Sequence, residues 1–359
     1  MTISYIYLLI AFAISFVFSI LGTPLIIKLC DIHELYDQPN ARKVHKQAIP
    51  RLGGTLFLPS MAVGVTTTLL IIYKDVHQGM EVYISSIMIA VGALLIYLIG
   101  ILDDLKGMKA IIKFFIQSIA ALLFPLCNLM ISNLHGLFGI YEIPLWASYL
   151  LTVFVILLIV NAINLIDGID GLASSLAFLI LVAFTYLYYG LGSTLFSLIS
   201  ISLAGALFAF FLFNFYGKAE KLKIFMGDSG SLFLGYVIAY LAIKYQMVHE
   251  TRQLPNQDES MLFSFSLVFI PCIDVIRVAI QRILKKKHIF DADKTHIHHR
   301  IMDMGFGMHT TLAIILCLFS CFCLINWGLF TAGVTITYII IIDILLYSLF
   351  IGCIGWVKK

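Results

Sequence analysis

The stretch ASYLLTVFVILLIV (147–160) runs directly into NAINLIDGIDG (161–171), and a second apolar run begins near Leu172. An almost wholly apolar segment therefore ends on two amides, Asn161 and Asn164, and two carboxylates, Asp167 and Asp170, where a membrane helix should be leaving or entering lipid. Burying such groups without partners costs several kcal/mol each, so they must be bonded to something. Asn164, Asp167 and Asp170 recur at every third position, one slowly drifting face of a helix, and Gly168 and Gly171 admit a second backbone or a ligand. Two helix caps with a turn between them need only one Asp or Asn per helix end. Four polar groups exceed that need and point to a ligand site.

Composition sets the surroundings. The chain has 359 residues, 61% hydrophobic and only 12% charged, with a mean hydropathy of +1.01, which excludes a soluble domain. Apolar runs of spanning length fall near 3–28, 54–73, 83–102, 110–127, 145–160, 172–190, 194–215, 230–247, 261–281, 310–328 and 332–356. This pattern predicts an all-α, polytopic membrane bundle of about eleven helices, forming a single domain over residues 1–359 with no internal repeat. The N-terminus lacks the basic region of a signal peptide, so its first run reads as a retained span. The seven cysteines lie mostly within apolar runs and read as small buried hydrophobes rather than a disulfide frame or a metal site.

Orientation follows from Lys and Arg. The connections after odd-numbered helices, with the C-terminus, hold 20 of them, and the other side holds Lys74, Lys244 and Arg252. That asymmetry predicts an outside N-terminus and a cytoplasmic C-terminus. The polar clusters share the same parity: Asp103-Asp104 ends the third helix, Asn161–Gly171 the fifth, Gly227-Asp228 precedes the eighth, and a histidine cluster follows the ninth. All are expected on the cytoplasmic side.

Four further stretches carry candidate chemistry. The first inner loop, Asp37 to Gly54, interleaves Arg42, Lys43, Lys46 and Arg51 with Pro39 and Pro50 and ends in Gly53-Gly54. Cations and glycines in that order suit phosphate oxygens, although taken alone the loop reads as ordinary positive-inside charge, with lipid contact as an extra. At Asp103-Asp104, adjacent side chains point about 100° apart on a helix, so one carboxylate can approach a metal or substrate while the other pairs with Lys106 or Lys109; a solvated helix end explains the pair equally well. Phe225-Met226-Gly227-Asp228-Ser229-Gly230-Ser231 reads as a helix cap and also as a phosphate cradle, with Asp228 offering a hard oxygen to Mg²⁺, Phe225 a face for a base, and Asn214 joining from the seventh helix. In Thr295-His296-Ile297-His298-His299-Arg300, helical spacing puts His296, His299 and Arg300 on one face and His298 elsewhere. Three His without a nearby Cys fall short of a tetrahedral zinc site, so hydrogen bonding to a diphosphate fits better. Asp274 and Arg277 are spaced for an ion pair supporting the loop that follows them, and Asp343 stands alone in the last helix. Carboxylates, a Mg²⁺ site and several cationic loops on one face form the inventory of phosphoryl transfer to a substrate dissolved in the bilayer.

Asn161–Gly171 with Leu172-Ala173-Ser174, Phe225–Ser231, Asp103-Asp104, Pro39–Gly54 and His296–His299 together resemble the polyprenyl-phosphate N-acetylhexosamine-1-phosphate transferases, from about Asp37 to Phe306. The last motif, through Met304-Gly305-Phe306, is similar to the bacterial undecaprenyl-phosphate N-acetylglucosamine-1-phosphate transferases. The peptidoglycan branch, which transfers phospho-N-acetylmuramoyl-pentapeptide, carries three consecutive His followed by Phe-Glu; the chain departs from that at Ile297 and Arg300, so this branch ranks second. The resemblance implies transfer of a sugar 1-phosphate from a UDP-sugar, UDP-N-acetylglucosamine above all, to undecaprenyl phosphate with release of UMP, at the inner face of the bacterial cytoplasmic membrane. It implies Mg²⁺, with Mn²⁺ as a substitute, held by Asp228; Asn164 and Asp167 on the nucleotide with Asp170 close by and Phe225 near the uracil; and Asp103 and Asp104 beside the lipid phosphate. His296, His298, His299 and Arg300 would surround the diphosphate and sugar, with Lys46 and Asn214 as further substrate contacts. A homodimer is left open. An anion transporter is the alternative of a different class, but transporters place ionisable groups on broken helices near the bilayer midplane rather than at helix ends on one side.

Overall fold

The computed structural model describes residues 4–37, 48–76, 84–218, 222–251, 257–288 and 295–357. Among them run twelve helices: α1 (Tyr5–Ile32), α2 (Phe57–Val76), α3 (Ile84–Lys106), α4 (Ala110–Leu126), α5 (Leu145–Ile166), α6 (Leu172–Gly190), α7 (Thr194–Tyr216), α8 (Gly227–Thr251), α9 (Gln257–Leu284), α10 (Ile297–Met302), α11 (Met308–Thr331) and α12 (Ile336–Val357). Ten are long and apolar enough to cross a membrane, and α4 is a shorter apolar helix. The all-α multi-pass architecture expected from composition is what the chain adopts. Two small antiparallel hairpins escape the apolar-run reading: β1 (Tyr36–Asp37) with β2 (Ile49–Pro50), and β3 (Asn133–Leu137) with β4 (Ile140–Glu142). Strands this short carry too few residues for alternation to show.

Helix α8 is the pillar. Leu232 to Ile243 is buried without interruption, whereas α1, α3 and α11 turn large side chains such as Leu21, Leu98 and Leu324 outward, as lipid-facing helices do. Glycine permits the close approach of neighbours to the start of α8. A Cβ on Gly100 of α3 would lie 2.5 Å from the Cα of Ser229, and one on Gly54 would overlap the backbone of Gly230. Main-chain bonds lock the same junction: Gly53 N donates to Phe225 O (2.9 Å), Gly54 N to Met226 O (2.8 Å) and Phe225 N to Pro50 O (2.7 Å). The described ends of the α1–α2 connection and the start of α8 are thereby one rigid piece. Between α5 and α6 the chain turns through Asp167 to Gly171, where Gly171 takes φ +80°, a conformation that favours glycine.

Candidate active site

The ends of α3, α5, α7, α8 and α10 enclose a cavity of about 360 Å³. Asp103 and Asp104 reach it from α3, Asn164 from α5, and Asp167, Gly168 and Asp170 from the turn that follows. Asn214 comes from α7, Phe225 from the segment before α8, Asp228 and Ser231 from the start of α8, Asp37 from β1, Arg51 from just after β2, and His299 from α10. Residues separated by more than two hundred positions thus meet at one place. Lys46 lies outside the described residues.

Each carboxylate is handled differently. Asp104, 4% exposed, accepts from the backbone N–H of Asp228 (2.9 Å) and of Ser229 (3.0 Å). It caps the start of α8, accepting from the first amides at the positive end of the helix. One correction to the sequence expectation results: the first amides of α8 are not an open phosphate cradle, because Asp104 occupies them. Asp104 still lines the cavity beside Asp103. Asp103 pairs with neither Lys106 nor Lys109. It accepts from Met108 N (2.7 Å) and from Lys113 Nζ (3.1 Å), and the same ammonium contacts Asp228 Oδ2. Asp228 also accepts from Asn164 Nδ2 (3.1 Å), which donates to Ser231 Oγ as well (2.8 Å). Asp228 is therefore held from two sides with its carboxylate on the cavity wall.

Asp170 pairs with Lys223. Asn214, expected on the substrate, is spent as a strut: its Oδ1 accepts from Gly171 N (2.7 Å) and its Nδ2 donates to Ile224 O (3.0 Å). Asp167 lines the cavity half-buried, and burial, followed by the charges of Asp228, Asp170 and Asp104, pushes its carboxyl up to about 7.

The histidines separate. Equal helical facing predicts His296, His299 and Arg300 together, yet α10 begins only at Ile297, leaving His296 as its cap outside the helical register. His296 Nδ1 bonds Asp274 Oδ2 (2.8 Å) instead, and only His299 reaches the cavity wall. Asp274 is a hub: Arg277 Nη2 (2.6 Å), Ile297 N (3.1 Å) and the Tyr347 hydroxyl (3.0 Å) also donate to it, and Arg277 donates on to Thr295 O (2.6 Å). The supporting role expected of Asp274 and Arg277 is what the geometry displays. His298, 2% exposed, packs its ring against Gly168, where a Cβ would come within 2.6 Å of its Cε1. It backs the Asp167–Asp170 turn from behind; burial, then the neighbouring His299 and His296, lower its pKa to about 3, so it is neutral. Arg300 is half-buried and off the cavity wall.

Sequence spacing overlooked Lys113, Lys223 and Tyr347, whereas Arg51, one of the cations read in the Asp37–Gly54 loop, does line the cavity. A lone Lys near the start of an apolar helix was a signal for Lys113, since an unpaired ammonium there is costly; nothing in the spacing named Asp103 and Asp228 as its partners.

A polytopic helical protein with an acidic cavity where its helix ends converge is the class that fold and site define. Residues 86–246 match glycosyl transferase family 4, covering α3 through most of α8. A Bacillus subtilis (strain 168) protein described as a probable undecaprenyl-phosphate N-acetylglucosaminyl 1-phosphate transferase is 31% identical over 86% of the chain and 81% of its own length. A decaprenyl-phosphate N-acetylglucosaminephosphotransferase of Mycobacterium leprae is 30% identical over 82% and 76%. The undecaprenyl-phosphate alpha-N-acetylglucosaminyl 1-phosphate transferase of Escherichia coli K12 is 27% identical over 78% and 72%. The chain belongs to this family of polyprenyl-phosphate N-acetylhexosamine-1-phosphate transferases, and is a membrane transferase.

Proposed function

We propose that the protein transfers N-acetylglucosamine 1-phosphate from UDP-N-acetylglucosamine to undecaprenyl phosphate, releasing UMP, on the cytoplasmic side of the bacterial inner membrane. The carrying observation is the meeting of Asp103, Asn164, Asp167, Asp228 and His299 on one cavity at the ends of apolar helices. A donor entering from water and an acceptor held in lipid can both reach such a place. The names of the relatives supply the sugar and the lipid. The excess of Lys and Arg on the same parity of loops supports the cytoplasmic side.

The donor set suits Mg²⁺. The wall offers hard carboxylate oxygens, with Asp228 presented by Asn164 and Lys113. Among the described residues no three His, Cys, Asp or Glu side chains gather as a ready-made metal site. Mg²⁺ commonly takes one or two carboxylates and completes its shell with water and substrate phosphates, so this arrangement fits it. Asp228, with Asp103 or Asp167 nearby, would hold the ion, and when bound it neutralises charge on the diphosphate.

The remaining steps belong to the chain. A lipid phosphate is largely ionised at neutral pH, its second pKa being about 6, and needs no strong base. Asp103, held by Met108 N, fixes the Lys113 ammonium beside it. A phosphate oxygen attacks the β-phosphorus in line, and the bond from that phosphorus to the bridging oxygen breaks, with UMP as leaving group. Asn164 keeps Asp228 in place, Phe225 faces the base, and His299 reaches the transferred phosphate and sugar from α10.

Purified protein with undecaprenyl phosphate should release UMP from UDP-N-acetylglucosamine, should not from UDP-N-acetylmuramoyl-pentapeptide, and should stop on addition of EDTA. Release only from the pentapeptide donor, or from neither, overturns the reading.

A further inference from the structure

The first inner loop brings Asp37 and Arg51 to the cavity, and the guanidinium of Arg51 is a cation that the roles above leave unused. Arg51 follows β2 directly, and the backbone on both sides of it is pinned to α8 through Pro50 O, Gly53 N and Gly54 N. Its own carbonyl packs against Gly227, next to Asp228. Arg51 lines the cavity, and its Nε–H is buried without an acceptor. Such a donor is normally satisfied, so an unmet one at a cavity wall points to a missing partner.

Charge identifies that partner. The wall carries the carboxylates of Asp37, Asp103, Asp104, Asp167, Asp170 and Asp228, and among the described residues Arg51 is the only Lys or Arg on it. Lys113 and Lys223 are each committed to carboxylates. Among the described residues, Arg51 is therefore the fixed guanidinium or ammonium of the wall that an anionic substrate entering this basin can meet, beside whatever cation accompanies it. The planar guanidinium offers paired N–H donors that match two oxygens of one phosphate, which an ammonium cannot reproduce.

We propose that Arg51 binds a phosphate group of the substrates through its Nε–H and a neighbouring N–H. The inference rests on the phosphoryl-transfer reading for the existence of such a group, which belongs to the lipid acceptor or to the nucleotide donor. Both sources share the chemistry, and binding measurements separate them. The detergent-purified full chain, as wild type, Arg51→Ala and Arg51→Lys, is titrated with farnesyl phosphate against farnesol and with uridine 5′-diphosphate against uridine, in the presence of Mg²⁺. Arg51→Ala should weaken at least one of the two phosphate probes by about tenfold or more while leaving farnesol and uridine as they were, and the probe that loses affinity names the source. Arg51→Lys should recover part of the loss, because it restores charge without the fork.

Equal affinity of Arg51→Ala and wild type for both phosphate probes overturns the inference, as does a loss that falls equally on farnesol and uridine. Failure of the wild type to bind either phosphate probe overturns it too. Because the readout is binding, a wild type that binds both phosphates without transferring would sink the transferase reading and leave Arg51 standing. A chain that transfers normally with Arg51→Ala binding unchanged does the reverse.

Discussion

Lys113→Met is the perturbation whose size the geometry sets most directly. The ammonium lies 3.1 Å from Asp103 and in contact with Asp228, so one cation serves two carboxylates from helices α3 and α8. Unit charges about 4 Å apart attract by ~4 kcal/mol at an effective dielectric near 20, and removing one partner of a buried pair costs ~3–5 kcal/mol. The lysine side chain is 20% exposed, which places the effect at the lower end, about 3 kcal/mol. If that loss falls on the placement of Asp103 and Asp228 in the transition state, kcat/KM drops on the order of 100-fold. The assay is UMP release by purified variants, with thermal unfolding in detergent run in parallel. Lys113→Arg should keep much of the activity, and in the double variant with Asp103→Asn the combined loss should fall short of the sum, since one like charge is gone. A Lys113→Met enzyme within about threefold of wild type, or strict additivity with Asp103→Asn, would refute the bridging role.

Three other outcomes are expected. Asp228→Asn should abolish turnover while the purified protein still unfolds cooperatively near the wild-type temperature; near-normal UMP release in that variant removes the Mg²⁺ assignment. Tyr347→Phe deletes one hydrogen bond to Asp274, worth about 1 kcal/mol, and should lower kcat/KM several-fold through the histidine segment, whereas no change in a kinetic comparison would mean that α12 does not hold that segment. Asp167, raised to about 7, retains a proton in the folded chain that the unfolded chain gives up near its ordinary value of about 3.9, so folding stability falls as pH climbs through that window. Asp167→Asn should therefore melt above wild type at pH 8 and converge with it near pH 4, and a variant that melts lower at pH 8 contradicts this.

Period and composition were enough for the membrane helices because a spanning segment must be long, apolar and hydrogen-bonded within itself, and those demands are written locally. The residues of the cavity were legible for a related reason: Asn164, Asp167 and Asp228 are too polar for helix ends in lipid unless something engages them. Partnership was not legible. Asp103 and Asp104 both line the cavity but bond differently, one to Lys113 and the other to the first amides of α8, and that choice depends on how closely Gly100 lets α3 approach Ser229. The histidine segment misled because helical spacing was applied across His296, which precedes the first turn of α10 and answers to Asp274 on another helix.

The same pairings explain how so acidic a basin can be built before any substrate arrives. Like charges brought together in a poorly hydrated place must be offset or neutralised. Here helix amides take Asp104, Lys113 takes Asp103 with Asp228, and Lys223 takes Asp170. Among the described residues Asp167 has no such partner, and burial, followed by the charges of Asp228, Asp170 and Asp104, pushes its carboxyl up to about 7. A divalent ion arriving with a diphosphate would meet Asp167 without a competing cation and would compete with Lys113 for Asp228, while Asp104 stays held by the amides of α8 and Asp170 by Lys223. The carboxylates that stay fixed thus shape the basin, and Asp167 and Asp228 are the ones a cation would engage.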